Sequence, residues 1–316
     1  MDRRKFLKDT ALASIGLGGA AFAQVTQGKT KVAQNVPRQE KLAPIIDTHI
    51  HCFAGADNPR FPFHERAPYR PVAAATPQHL LMCMDGAGVD SGIIVHPEPY
   101  QDDHRYLEYC LGFGDGRLKG TCLFFADQPG SLSRMSELVR KLPGRIVAAR
   151  VHAYAPGRLP PFGKPELRAL WKTATDLGLA MQIHFEPRYA SGFEPLIREF
   201  RETTVIIDHL GRPYHGTPEE YDRILAWSRF PNTVMKVAAI PAQENYPHRN
   251  ITPVIRQLTN AYGAERMIYG GGFDAGATPE SYLLHRENIK KHLAHISERE
   301  VQMILGGTAA RLFGFG

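Results

Sequence analysis

From Pro44 onward the chain alternates two kinds of segment. Short runs of β-branched and aliphatic residues lead into turns rich in Gly, Pro, Asp and Asn. Longer stretches follow, in which apolar positions recur every three or four residues. A short uninterrupted apolar run is the mark of a strand buried on both faces, and a three-to-four period is that of an amphipathic helix. The pattern predicts strands over 45–50, 92–96, 120–125, 146–151, 179–185, 204–208, 233–237 and 266–270. It predicts helices over 77–88, 103–112, 132–142, 164–177, 193–200, 218–229, 250–262, 279–293 and 298–312. Such alternation calls for a parallel sheet with helical crossovers. Eight units fit a single (β/α)8 barrel over 44–316, a fold of roughly 250 residues. The rival, a doubly wound open sheet, lacks the Gly-x-Gly-x-x-Gly turn that would follow its first strand.

The first 43 residues do not join this rhythm. Arg3-Arg4 and Lys5 precede an Ala- and Gly-rich apolar run that ends in Ala21-Phe22-Ala23. The run is too short to cross a bilayer, which takes roughly 20 residues. Residues 1–23 therefore read as a twin-arginine export signal with a small-x-small cleavage site, and 24–43 as a polar linker. A periplasmic protein without stable membrane insertion is expected; an uncleaved anchor is the alternative.

Composition narrows the function classes. The chain has 316 residues, 43% hydrophobic and 22% charged, with a formal net charge of +6. The charges are interspersed, so nothing suggests a nucleic-acid-binding stripe, and the mild basic balance suits a small acidic substrate. Cys52, Cys83, Cys110 and Cys122 show no Cys-x-x-Cys spacing. That argues against a zinc ribbon or redox motif and leaves buried thiols, with one disulfide as the alternative.

Candidate chemistry gathers at the strand ends, where barrel active sites lie. His49-Ile50-His51 closes the first strand, and residues two apart on a strand share a face. Alone the pair could be two hydrogen-bonded strand histidines. However, His49, His51, His96, His152, His184 and His209, six of the chain's 14 histidines, all fall at predicted strand ends. His184 would complete a three-imidazole metal set with His49 and His51, of the kind that holds zinc and leaves a position for water. Zinc is favoured over manganese, and a metal-free mechanism stays open. His209 would polarise a substrate carbonyl or transfer a proton, while Asp208 turns away from the lumen and orients a neighbour. Arg150, costly to bury without an anion, is a candidate anchor for a substrate carboxylate, with a structural ion pair as the alternative. Lys236 reads similarly. Arg212, Tyr69 and His96 are further candidates for substrate contact, and Asp274, just past strand eight, for a general base.

These residues together resemble the amidohydrolase superfamily, and within it the branch that includes 2-pyrone-4,6-dicarboxylate lactonases and sugar lactonases. The resemblance is carried by Asp47-Thr48-His49-Ile50-His51, by Phe61-Pro62-Phe63 through Ala67-Pro68-Tyr69-Arg70-Pro71, by Met84-Asp85 to Val89-Asp90 with Ile93-Ile94-Val95, by Asp208-His209-Leu210-Gly211-Arg212-Pro213 and by Thr308 to Phe315. It implies a (β/α)8 barrel that hydrolyses a lactone or related ester. It further implies that His49, His51 and His209 polarise the carbonyl, and that Arg150 and Tyr69 hold carboxylate or oxyanion groups. His184 stands where metal-free members carry tyrosine, which points to a metal-assisted enzyme. Gly272 stands where the family carries the aspartate that activates water, and Asp274 lies two residues on. Three readings follow: a metal-assisted hydrolase of a carboxylated lactone, a decarboxylase or hydratase on the same barrel, and a binding protein that has lost its base.

Overall fold

The computed structural model describes residues 43–155, 158–238, 240 and 250–315. The export-signal reading for 1–23 and the linker reading for 24–43, apart from residue 43, fall outside these residues. Eight parallel strands follow one another around a nearly closed barrel in chain order, which excludes the doubly wound alternative. They are β1 (Ile46–Ile50), β2 (Ser91–Val95), β3 (Leu118–Leu123), β4 (Ile146–Ala153), β5 (Ala180–Phe185), β6 (Val205–Ile207), β7 (Thr233–Val237) and β8 (Met267–Tyr269). The helices are α1 (Pro77–Ala87), α2 (Arg105–Leu111), α3 (Ser131–Lys141), α4 (Pro165–Asp176), α5 (Ala190–Glu199), α6 (Pro218–Ala226), α7 (Thr252–Tyr262), α8 (Pro279–His292), α9 (Glu298–Gln302) and α10 (Thr308–Phe313). Among the described residues no helix is long and apolar enough to cross a membrane.

Local chemistry sets the helix starts. Thr76, Thr217 and Thr278 each cap a helix whose first residue is proline, and Thr217 forms a capping box with Glu220. α5 begins at Ala190, ahead of the predicted 193, and carries Pro195 inside it.

Side-chain parity builds the barrel in layers. Ile46, Ile93, Ala148, Ala180, Ile206, Val234 and Ile268 fill the lower interior, closed from below by Ala309 and Phe313 of α10. The alternate residues Ile94, Ala149, Met181, Ile207, Met235 and Tyr269 face the helical shell. Fully burying one such aliphatic side chain stabilises the fold by about 1.5–3 kcal/mol.

The seam between β8 and β1 is held by side chains. Thr48 Oγ1 donates to the Tyr269 carbonyl at 2.6 Å, and Gly271 N donates to Asp47 Oδ1 at 2.8 Å. Asp47 also accepts from His49 N at 2.8 Å and from the Tyr282 hydroxyl at 2.5 Å.

The predicted closing helix over 298–312 is interrupted by a π turn at Met303–Gly307. Within it the chain passes close to the segment entering β1: a Cβ on Gly306 would lie 1.6 Å from the Pro44 carbonyl oxygen. Gly306→Ala should therefore cost about 3 kcal/mol or more, at or beyond the usual range for overpacking. Urea titration measures this, and a change below about 1 kcal/mol would show that the contact yields freely.

Candidate active site

A register irregularity in β1 aims the His-x-His pair. Ile46 lies in the barrel interior and Ile50 in the outer shell, although residues four apart on a regular strand share a face. The pairing with β2 shifts between Asp47 and Ile50, which reverses parity and turns both His49 and His51 inward. Gly270 of the chain leaving β8 meets His49 closely: a Cβ there would lie 2.7 Å from His49 Cβ.

Beneath the histidines lies a polar layer drawn from four consecutive strands. Asp208 accepts from Gln182 Nε2 at 2.9 and 3.0 Å and from Arg150 Nε at 3.0 Å, while Arg150 Nη2 lies 2.8 Å away. Lys236 Nζ lies 3.2 Å from Asp208 Oδ1 and donates to the Thr48 carbonyl at 2.9 Å. Burial works to raise the Asp208 pKa, but Lys236 and Arg150 overcome it and hold the carboxyl well below its ordinary value. Three expectations are corrected here. Asp208 points into the lumen, because its parity matches that of Ile206. Arg150 and Lys236 are both committed to Asp208, so the ion-pair reading of each prevails over a substrate anchor.

Above this floor five imidazoles are gathered. The His49 ring lies 4.9 Å from that of His51 and 4.5 Å from that of His209. His184 lies 4.9 Å from His209 and 5.2 Å from His152. His51 Nδ1 contacts the Val95 carbonyl at 2.8 Å. A carbonyl can only accept, so Nδ1 carries the proton and Nε2 keeps its lone pair. His184 Nδ1 and His152 Nδ1 lie 3.2 Å apart, one donating and the other accepting. Burial is the largest cause lowering the pKa of each ring, with His209 pushed down to about 4 and His51 to about 3.

The other sequence candidates are placed as follows. Tyr69 stands at the mouth, 45% exposed, edge-on to Phe53 at 6.4 Å, and burial with the Glu98 charge pushes its pKa up to about 12. Arg212 adopts a left-handed backbone (φ 54) beside His209, whose pKa its charge helps lower. His96 does not face substrate: it is fully buried behind β2, stacked on His104 at 4.1 Å, with Nε2 on the Gln101 carbonyl at 2.9 Å. Asp274 is exposed, its Oδ1 accepts from Gly276 N at 2.7 Å, and its charge is felt by Cys83 of α1. Strand parity fails there because Gly271 and Gly272 take φ of 100 and 108. A Cβ on Gly272 would point at His285, 2.8 Å from Cδ2. All four cysteines are free and buried.

The sequence reading missed Glu98, Tyr154 and the role of His152. The Tyr154 hydroxyl donates to Glu98 Oε2, which lies 3.6 Å from His152 Nδ1. The signal was present: Glu98 sits between Pro97 and Pro99 just beyond a strand end, where an acidic residue is well placed to serve a site.

One group among the described residues could hold a metal ion: His49, Asp208 and His209, whose ligand atoms lie within 4.8 Å of one another. The residues fit a divalent cation, because His49 Nδ1 and His209 Nδ1 are buried without a hydrogen-bond partner and both rings are neutral. His51 and His184, placed in the metal set from sequence, border this group by ring contact.

A family model described as amidohydrolase matches residues 46–315. The chain belongs to the amidohydrolase family. No curated protein matches it. Among solved structures, this amidohydrolase is similar to the probable 2-pyrone-4,6-dicarboxylic acid hydrolase of Acinetobacter baumannii with citric acid bound. That pair shares 21% identity, with a TM-score of 0.70 over 86% of this chain and 99% of that one. It is also similar to a Burkholderia multivorans amidohydrolase with bound zinc, at 15% identity and a TM-score of 0.65 over 87% of this chain and 100% of that one. A third similar structure is the 5-carboxyvanillate decarboxylase of Sphingomonas paucimobilis, at 14% identity and a TM-score of 0.57 over 87% and 100%. At these identities the likeness establishes the shared barrel.

Two predictions follow from this geometry. The folded amidohydrolase keeps five rings neutral, whereas unfolded rings take up protons near pH 6.5. Stability is thus full above about pH 6.5 and lost on acidification, through about 4 for His209 and about 3 for His51. Each proton taken up on unfolding contributes about 1.4 kcal/mol per pH unit. Denaturation midpoints should fall steeply below about pH 6, and a flat profile would contradict buried neutral rings. Separately, Gly272→Asp should lower stability by about 1–3 kcal/mol through strain and overlap with His285. It should also add no activity; a gain of turnover would show that a carboxylate at 272 does reach the imidazoles.

Proposed function

We propose that this amidohydrolase is an exported, metal-assisted hydrolase that opens a lactone or related cyclic ester carrying carboxylates. The observation that carries the reading is the set of five neutral imidazoles gathered over the Asp208 floor at the C-terminal end of the barrel. Neutral imidazoles serve equally to bind a Lewis-acidic ion and to donate to a developing oxyanion. His49 and His209, with Asp208, would hold a divalent ion, zinc before manganese. Such an ion, when bound, polarises a carbonyl and lowers the pKa of water. His51, its Nδ1 fixed by Val95, presents Nε2 to the chamber, and Arg212 beside His209 suits an acidic substrate. The names of two similar structures, one a pyrone-dicarboxylic acid hydrolase with citric acid bound and one an amidohydrolase with zinc, support the same chemistry. The Arg3-Arg4 pattern supports export.

A second reading, decarboxylation of an aromatic or unsaturated acid, draws on one observation: strand eight brings no carboxylate to the chamber to activate water. A similar barrel is named for such an activity. One experiment separates the two. Protein purified without chelator is assayed for zinc and manganese, then offered a panel of carboxylated lactones and pyrones alongside hydroxylated aromatic acids. Bound metal, ring opening without released carbon dioxide, and loss of turnover on chelation are expected. Carbon dioxide release would favour the second reading, and no turnover with or without added zinc would sink both.

A further inference from the structure

Hydrolysis needs a group that moves a proton beside the imidazoles, and strand eight does not supply one. We propose that Glu98, in the turn that follows β2, is the proton-transferring catalytic residue of this site; the inference rests on the hydrolase reading above. Glu98 opens a single helical turn (Glu98–Tyr100) directly after β2, and its side chain is only 13% exposed. Tyr154 engages Oε2, which leaves Oε1 without a hydrogen bond among the described residues. From Oε2 a line of polar contacts runs inward: 3.6 Å to His152 Nδ1, 3.2 Å on to His184 Nδ1, then ring contact with His209 at 4.9 Å.

The other buried carboxylates near the chamber are already engaged. Asp208 is locked between Arg150, Lys236 and Gln182. Asp47 closes the β8–β1 seam with two amides and Tyr282. Glu186 is paired with Arg188. Of these four, Glu98 has an oxygen to spare, and its other oxygen lies 3.6 Å from the His152 ring nitrogen. The charged and titratable groups that face it are His152 and Arg150 of β4, Tyr154 just beyond it, Tyr69 of the loop after β1, and Asp127 and Arg158, which line the same cleft. Burial raises its pKa, against the opposing pull of Tyr154 and Arg150, which makes its carboxylate a stronger base. Glu98 and His152 also line a small cleft of ≈ 30 Å³ with Phe125, Asp127, Arg158 and Leu170, which gives room for about one water at that carboxylate.

The step balances. The Glu98 carboxylate takes one proton from water as the water oxygen bonds to the ester carbon and the carbonyl electron pair moves onto oxygen. The pair returns, the bond from carbon to the ring oxygen breaks, and the proton held by Glu98 passes to that ring oxygen. Ester and water enter, a hydroxy acid leaves, and Glu98 is restored.

The test uses the full mature chain, metal-loaded. On the lactone turned over in the panel, Glu98→Gln should lower kcat by at least about 100-fold and abolish the acid limb of its pH profile. Glu98→Asp should recover a measurable fraction, with circular dichroism and melting midpoint unchanged in both. A loss within threefold for Glu98→Gln, or an equal loss in Asp274→Asn, would overturn the proposal. A second readout needs no turnover: the Glu98 carboxyl carbon is titrated by ¹³C NMR, assigned by its absence in Glu98→Gln. A midpoint above the ordinary glutamate range is expected, and one at or below it overturns the proposal whatever the panel shows. A raised midpoint with no lactone turned over would sink the hydrolase reading and leave Glu98 as the site's proton carrier.

Discussion

Asp208 enters the barrel at the end of β6 and meets, within 3.2 Å, side chains of three other strands: Arg150 of β4, Gln182 of β5 and Lys236 of β7. None of the four has appreciable contact with solvent. A charge stripped of water in this way is tolerable only when its partners are close and well directed. Removing one member would leave the others buried and uncompensated, at a cost of about 3–5 kcal/mol. The upper barrel can therefore be polar without being wet. The histidine layer stands on this floor, and burial there keeps its rings neutral.

The way β1 completes the ring decides what β8 can contribute. The irregularity between Asp47 and Ile50 turns His49 toward β8, and His49 then occupies the volume a side chain at 270 would need. Glycine at 270 is the consequence, and the left-handed φ values at 271 and 272 carry the chain away from the lumen. Asp47, whose carboxylate seals the same seam, has its pKa pushed up to about 6 by burial, opposed by the hydrogen bonds from Tyr282, His49 N and Gly271 N. His49 thus sets the glycine at 270, while His285 and Tyr282 of α8 set the one at 272, where a carboxylate would otherwise stand.

The architecture was legible in the hydrophobic pattern because a parallel barrel strand is buried on both faces and announces itself as a short apolar run. The strand-end rule likewise picked out His49, His51, His184 and His209, which do gather in the chamber. The outward reading of Asp208 goes against its regular alternation with the inward Ile206, and the inward reading of Asp274 counts through glycines that do not keep the pleat. His96 fell to the same simplification: it ends its strand but faces the shell. Arg150 and Lys236 were recognised as needing an anion, yet sequence could not say that the anion was Asp208, 58 and 28 residues away along the chain. Glu98 was missed because its partners, His152 and Tyr154, lie at the end of β4 and just beyond it, far along the chain.

The floor also bears on how the chamber handles charge. Arg150 and Lys236 face a single ionised carboxylate, so the three side chains carry a net positive charge beneath neutral imidazoles. Field lines from buried charges are poorly screened, and a chamber of this kind concentrates them toward its mouth. Such a floor would attract an anionic ligand without either cation touching it, so the commitment of Arg150 to Asp208 is compatible with the acidic substrate proposed above. The same field opposes a divalent ion at His49 and His209, because part of the Asp208 charge is already neutralised. If an ion binds here, its affinity would come chiefly from the two unpartnered imidazole nitrogens, and a negatively charged substrate beside it would add the charge the floor withholds.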